Sequence, residues 1–303
     1  MTRAAVLAMA YGTPIDLDDV DRYYTDIRRG VRPPPELLQE LTGRYRAIGG
    51  RSPLLEITRA QARGISERVG MPAYVGQKHS PPFVADAMAE LQRDGIEHAI
   101  GLVLAPHFST MSVGDYERRA RIAADAIGWT GTLTMVESWH IEPGYIEWLA
   151  ERVRETLSSL PSEVQRDALV VFSAHSLPQR ILQKDDPYPR QLAETAEAVA
   201  RAASVARWRT GWQSAGRTPE AWLGPDILEI IEAESALGTN AIVVCPCGFV
   251  ADHLEVLYDI DIEAAAAADR AGMVLARTRA PNQDPEFLDA VAAVVRRCLA
   301  AAG

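Results

Sequence analysis

The sequence predicts an α/β fold made of two similar Rossmann-like, doubly wound domains with parallel sheets, and three observations carry that reading. Short apolar runs alternate with helix-length amphipathic segments from end to end, the pattern of βαβ units whose right-handed crossovers cover both faces of a parallel sheet. A chain of 303 residues suits about two domains. The halves also echo each other. VLAMAYGTP at Val6–Pro14 and VVFSAHSLP at Val170–Pro178 both run from strand through Ala to a ring-bearing side chain, two more residues and Pro, which sets Tyr11 opposite His175.

Taken in order, AAVLAM, PAYVG, HAIGLVLA and GTLTMV read as strands of the first half, and ALVVFSA, RWRTGW, NAIVVCP and GMVLAR as strands of the second. Helical periodicity fills the intervals at 34–48, 57–69, 82–93, 116–127, 145–159, 191–203, 226–236 and 254–268. These elements divide into an N-terminal domain over residues 1–143 and a C-terminal domain over 144–303. A second echo joins LAPHFSTMSVGDYE to VCPCGFVADHLE, with Tyr116 ten residues after Pro106 and Glu255 nine after Pro246. Two such domains would face each other across a cleft lined by Tyr11, Tyr116, His175 and Glu255.

Composition narrows the function. Hydrophobic residues make up 48% and charged residues 24%, as in ordinary globular proteins. A net charge of −10 argues against general nucleic-acid binding, which needs a basic excess over phosphates. Apolar runs such as AIGLVLAP fall short of the roughly 18 residues that span a bilayer, and the N-terminus lacks the pattern of a cleaved leader. The expectation is a cytoplasmic protein without a transmembrane segment. Cys245, Cys247 and Cys298 are too few for a disulfide framework, and an all-cysteine iron–sulfur cluster needs four thiolates. Buried, reduced thiols are expected instead.

The chemistry concentrates where strands end. His175 follows ALVVFSA and Glu255 follows AIVVCP, both near the carboxyl ends of predicted parallel strands, where ligand sites form. An imidazole with a carboxylate can hold a borderline divalent metal and accept protons near neutral pH. Glu255, Asp259 and Glu263 stand at i, i+4 and i+8, so an unbroken helix would line up three carboxylates despite their mutual repulsion. That line offers an outer path for a cation through Asp259 and Glu263. Arg28, Arg29, Arg32, Arg44, Arg46 and Arg51 against Glu36 and Glu40 give six minus two, a local +4 in an acidic chain, which points to an anionic ligand. Ser52 follows Gly49-Gly50 and adds a hydroxyl donor. Trp212 and Trp222 offer flat faces to a planar ligand. His79, His98, His107, His140 and His253 read as structural or surface residues.

FSAHSLP, GWQSAGRTPEAWLGPD and GFVADHLEVLYDID resemble the signature segments of ferrochelatases. MAYGTP, YYTDIRRG, LTGRYRAIGGRSPL and VLAPHFSTMSVGDY resemble, more narrowly, the coproporphyrin III ferrochelatases of Gram-positive bacteria. The likeness runs over nearly the whole chain. It implies two similar Rossmann-type domains around a porphyrin cleft, with the C-terminal helix returning to the first domain. It implies insertion of Fe²⁺ into coproporphyrin III with loss of two protons. By the same resemblance His175 and Glu255 would be the iron-site residues and Tyr11 the axial ligand to porphyrin iron. Arg28, Arg44, Tyr45, Ser52 and Tyr116 would line the tetrapyrrole pocket and meet its propionates, with Trp222 beside them. No cofactor is implied, because Fe²⁺ is a substrate. A cysteine-rich C-terminal extension is missing, so the iron–sulfur cluster of some relatives is not expected. A transient encounter with the next enzyme of the haem pathway is implied. Cys247 departs from the family pattern, in which a small apolar residue is expected, and is read as packing. Alternatives at this point are a protoporphyrin ferrochelatase, another tetrapyrrole metal chelatase, or a porphyrin carrier without catalysis.

Overall fold

The protein's computed structural model describes residues 3–302. Strands β1 (Ala4–Ala10), β2 (Ala73–Gln77), β3 (His98–Val103) and β4 (Thr132–Val136) form one parallel sheet in the order β2-β1-β3-β4. Strands β5 (Leu169–His175), β6 (Trp208–Gln213), β7 (Ala241–Cys245) and β8 (Val274–Arg277) form a second in the order β6-β5-β7-β8. The two orders are the same, so the echo between Val6–Pro14 and Val170–Pro178 is an echo of equivalent strands. Helices cover both faces, which explains the unbroken apolar runs: Ala5 to Met9 of β1 and Val170 to Phe172 of β5 have no exposed surface.

In each sheet the chain order reverses beside the first strand, and the crevice at such a switch point collects the side chains that follow the strands. Tyr11 comes directly after β1, and His175 is the last residue of β5.

The halves are not separate globules. One apolar cluster runs from Val6, Ile65 and Ile100 through Trp139, Tyr145 and Trp148 to Phe172 and Phe287. Pro143–Ser159 packs on both Tyr188–Ala202 and the C-terminal helix Pro285–Ala302. That last helix lies against Leu54–Val69 of the first half, where a Cβ on Gly64 would sit 2.5 Å from Leu288. Arg68 adds an ion pair to Asp289 at 2.5 Å. A smaller cluster joins Val20, Tyr23 and Tyr45 of the first half to Leu254 and Tyr258 of the second, and forms a wall of the cleft.

Most periodic segments appear within a few residues of expectation. Two differ. Val20–Ile27 is helical but was not anticipated: Val20, Tyr23, Tyr24 and Ile27 fall at i, i+3, i+4 and i+7, but its 8 residues are fewer than in any segment read from periodicity. The single helix expected at 254–268 is instead a short turn, Leu254–Leu257, a π-helical stretch, Asp259–Ala264, and a final segment, Ala265–Arg270. Within it Glu263 N donates to Tyr258 O at 2.9 Å, five residues back. No helix among the described residues is long and apolar enough to cross a membrane.

Candidate active site

The loop after β7 can reach β5 because Gly248 has no side chain. A Cβ there would lie 2.5 Å from that of Ala174, and Gly248 N donates to Ser173 O at 3.0 Å. This close approach delivers Glu255 to His175, with Oε2 3.1 Å from Nδ1. Gln213, at the end of β6, fixes the Glu255 carbonyl with a 2.5 Å bond from Nε2. Three strand ends therefore converge on one carboxylate–imidazole pair.

The pair is electrically coupled. Burial alone would depress His175, but the Glu255 charge and hydrogen bond outweigh it and leave the imidazole above its ordinary pKa. Burial likewise pushes Glu255 up, yet His175 and His253 together hold it far below the carboxylate range. Each partner therefore favours the charged form of the other. His253 bonds Ala251 O through Nδ1 at 2.8 Å and presents Nε2 3.7 Å from Glu255 Oε2. Sequence reasoning sets His253 aside, since its ring is aimed by this local backbone contact and by Phe249, whose ring centre is 4.9 Å away.

Beyond Glu255 the acidic residues turn onto the π-helical stretch. Ser214 donates to Asp259, and Arg44 reaches the same carboxylate at 3.3 Å and Glu263 at 4.0 Å. Burial, with the charges of Glu255 and Glu263, raises Asp259 to about 7 in spite of Ser214 and Arg44. Arg44 also bonds Glu40 at 3.1 Å and stacks 5.0 Å from the Tyr258 ring centre. It is engaged with the acidic residues rather than free in the cleft.

On the facing side, Tyr11 stands 4.7 Å from the His79 ring and keeps 39% of its surface open. Its crowded setting, and then the charge of Glu255, hold the phenol well above its ordinary pKa, so it stays protonated. His79 bonds Asp26 at 2.6 Å, and burial lowers it to about 4. Lys78 lies 5.9 Å from the Tyr11 ring centre and 5.3 Å from that of Tyr116, paired to Asp115 at 2.6 Å. Burial pulls this ammonium below its ordinary value despite the pairing. Lys78 and His79 follow β2 as His175 ends β5, so the strand-end rule that found His175 would have found them too.

The remaining sequence candidates fall into two groups. Tyr45 and Tyr116 are buried in the cleft wall, where Thr13 donates to the Tyr45 oxygen at 3.5 Å. Arg28 has a buried Nε with no protein partner. Ser52 is buried and its oxygen accepts from Leu54 N at 3.3 Å, which leaves the hydroxyl proton free to donate. Trp222 meets the His175 ring edge-on at 6.4 Å. Trp212, by contrast, is a core residue tilted against Tyr188 at 5.5 Å and offers no open face. His107 and His140 are buried and bonded to Thr195 and Glu194, as structural histidines are. Cys245 and Cys247 are buried thiols; burial raises Cys245 to about 12. No group of three or more His, Cys, Asp or Glu among the described residues could hold a metal.

A sequence model of the ferrochelatase family matches residues 3–299. The chain belongs to that family. The coproporphyrin III ferrochelatase of Bacillus subtilis (strain 168) is 47% identical over 305 residues, 98% of each chain. That of Anoxybacillus flavithermus is 48% identical over 298 residues, 96% of this chain and 94% of its own. That of Listeria monocytogenes is 44% identical over 301 residues, 97% of each. Among solved structures, SirB from Bacillus subtilis with Fe³⁺ shares the fold with a TM-score of 0.62 at 12% identity, covering 99% of this chain and 97% of its own. The sirohydrochlorin chelatase SirB of Bacillus subtilis subspecies spizizenii, in complex with cobalt, superposes with the same TM-score of 0.62 at 11% identity, covering 98% and 95%. These two structures share the fold at low sequence identity.

Proposed function

We propose that this protein is a coproporphyrin III ferrochelatase that inserts Fe²⁺ into coproporphyrin III and releases two protons. The observation that carries the reading is the His175–Glu255 pair at the strand ends, in one cleft with Tyr11. The full-length relatives of that name support the choice of macrocycle. A flat porphyrin hides its pyrrole N–H groups in its own plane, so a pocket complementary to a puckered ring lowers the barrier by exposing them. Neutral His175 offers one lone pair, which holds Fe²⁺ on arrival and, once the ion has passed into the macrocycle, accepts a pyrrole proton. Glu255 steadies the ion beside His175, and Asp259, titrating near 7, passes protons outward. Tyr11 meets the metal from the other face through its phenol or phenolate oxygen.

Propionates are the anionic feature of the substrate. Arg28 with its unpaired Nε and Ser52 with its free hydroxyl proton are suited to receive them. Arg44 instead neutralises the acidic route. The reading includes a cytoplasmic protein with no required cofactor and a transient handover of iron coproporphyrin to the next enzyme of the pathway. His175→Ala should abolish metallation while porphyrin affinity stays within about tenfold, because little contact area is lost. Anaerobic Fe²⁺ insertion and a porphyrin fluorescence titration measure both, and metallation at the parent rate would sink the assignment.

A further inference from the structure

Outside the cleft, one buried amide ties the halves together. Gln61, on Leu54–Val69, has no exposed surface, and its Nε2 donates to both Val250 O and Asn282 O at 2.7 Å. Val250 lies in the loop after β7, and Asn282 lies just before Pro285–Ala302. Asn282 N donates to the same Val250 carbonyl at 3.1 Å. The Asn282 side chain accepts from Asp252 N at 2.8 Å and donates to Asp252 Oδ2 at 2.7 Å. Its φ of +48° lies in the left-handed region that Asn tolerates better than most residues. Residues 250 and 252 are therefore gripped at backbone and side chain, and the chain runs from them directly through His253 to Glu255.

Loops after strands are ordinarily the mobile parts of an α/β fold. A side chain that must meet a reacting metal tolerates misplacement of only about 0.5 Å. The distance between His175 and Glu255 depends on where residues 250–252 sit, and the amide that sets them comes from the opposite half of the molecule. Its two donors face two carbonyls, so losing them takes this partner from Asn282 O and leaves Val250 O only the Asn282 N–H.

We propose that Gln61 and Asn282 are positioning residues for Glu255, fixing the β7 loop so that this carboxylate meets His175. The proposal rests on the reading of Glu255 as part of the iron site. The test is steady-state anaerobic Fe²⁺ insertion by Gln61→Met and Asn282→Gly, each alone and in the Glu255→Gln background. Methionine keeps the volume of glutamine without its N–H donors. Glycine accepts the left-handed backbone and keeps the Asn282 backbone bonds while dropping both contacts to Asp252.

Each single variant should lower kcat about tenfold with the porphyrin KM within about twofold, and lower it by less than about twofold in the Glu255→Gln background. A parallel rise in porphyrin KM would mean general slackening of the cleft and overturns the proposal. So does an unchanged kcat, or losses that multiply with that of Glu255→Gln. Should Gln61→Met fail to fold, Asn282→Gly decides by the same split. A Glu255→Gln rate equal to the parent's sinks the reading of Glu255 itself, whereas a low rate there with full activity in both single variants sinks only the positioning role.

Discussion

His175 and Glu255 shift each other in opposite directions, and the signs set a pH window. The raised His175 contributes stability that is complete below its unfolded value of 6.5 and is lost as pH rises through its higher folded value. The depressed Glu255 contributes stability that is present above its unfolded value of 4.5 and is lost as pH falls through its folded value. Their joint contribution is therefore largest between 4.5 and 6.5. Urea unfolding of the parent and of Glu255→Gln across pH 4 to 9 should show the greatest stability difference in that window. A difference independent of pH contradicts the coupling. These two residues were legible in the sequence because each follows an apolar run at a strand end. Lys78 and His79 obey the same rule after β2, whose run AYVGQ is less apolar than AIVVC of β7. His253 carried no signal, since its aim depends on a bond to Ala251 O within its own turn.

At the scale of elements, the departure from an unbroken 254–268 helix is the informative one. Regular spacing would stack Glu255, Asp259 and Glu263 at i, i+4 and i+8, with repulsion between neighbours. The π-helical stretch changes that spacing, and Arg44 spans Asp259 and Glu263 from the opposite wall. The sequence pattern showed the carboxylates but not the arginine that serves them, because Arg44 lies more than two hundred residues away. Arg44 is among the causes that lower Asp259, so Arg44→Ala should move Asp259 further above about 7. The acid limb of the pH–rate profile for insertion then shifts to higher pH. Loss of activity through a raised porphyrin KM, with the limb unmoved, would return Arg44 to propionate binding.

Over the whole molecule, the doubly wound class and the internal repeat were readable from strand alternation and from Val6–Pro14 against Val170–Pro178. The joining of the halves was not, because it depends on long-range packing. Trp139, Tyr145, Trp148, Phe172 and Phe287 share one cluster that crosses between the sheets. Gln61 and Arg68 add polar ties to the segment around Asn282 and to Asp289. A common core predicts one cooperative unfolding transition in calorimetry, with matching calorimetric and van't Hoff enthalpies, and two resolved transitions would mean that the halves fold independently. Such a frame holds the cleft walls in fixed relation, so substrate choice depends on charge placed in advance. Coproporphyrin III carries four propionates where protoporphyrin IX carries two and two vinyl groups. Each charge-assisted bond contributes roughly 1.5–3 kcal/mol, so losing one or two should cost at least about tenfold in efficiency. The most direct test is anaerobic Fe²⁺ insertion by the parent protein with the two porphyrins side by side. A kcat/KM at least about tenfold higher for coproporphyrin III is the predicted result; equal values for both would contradict the coproporphyrin assignment.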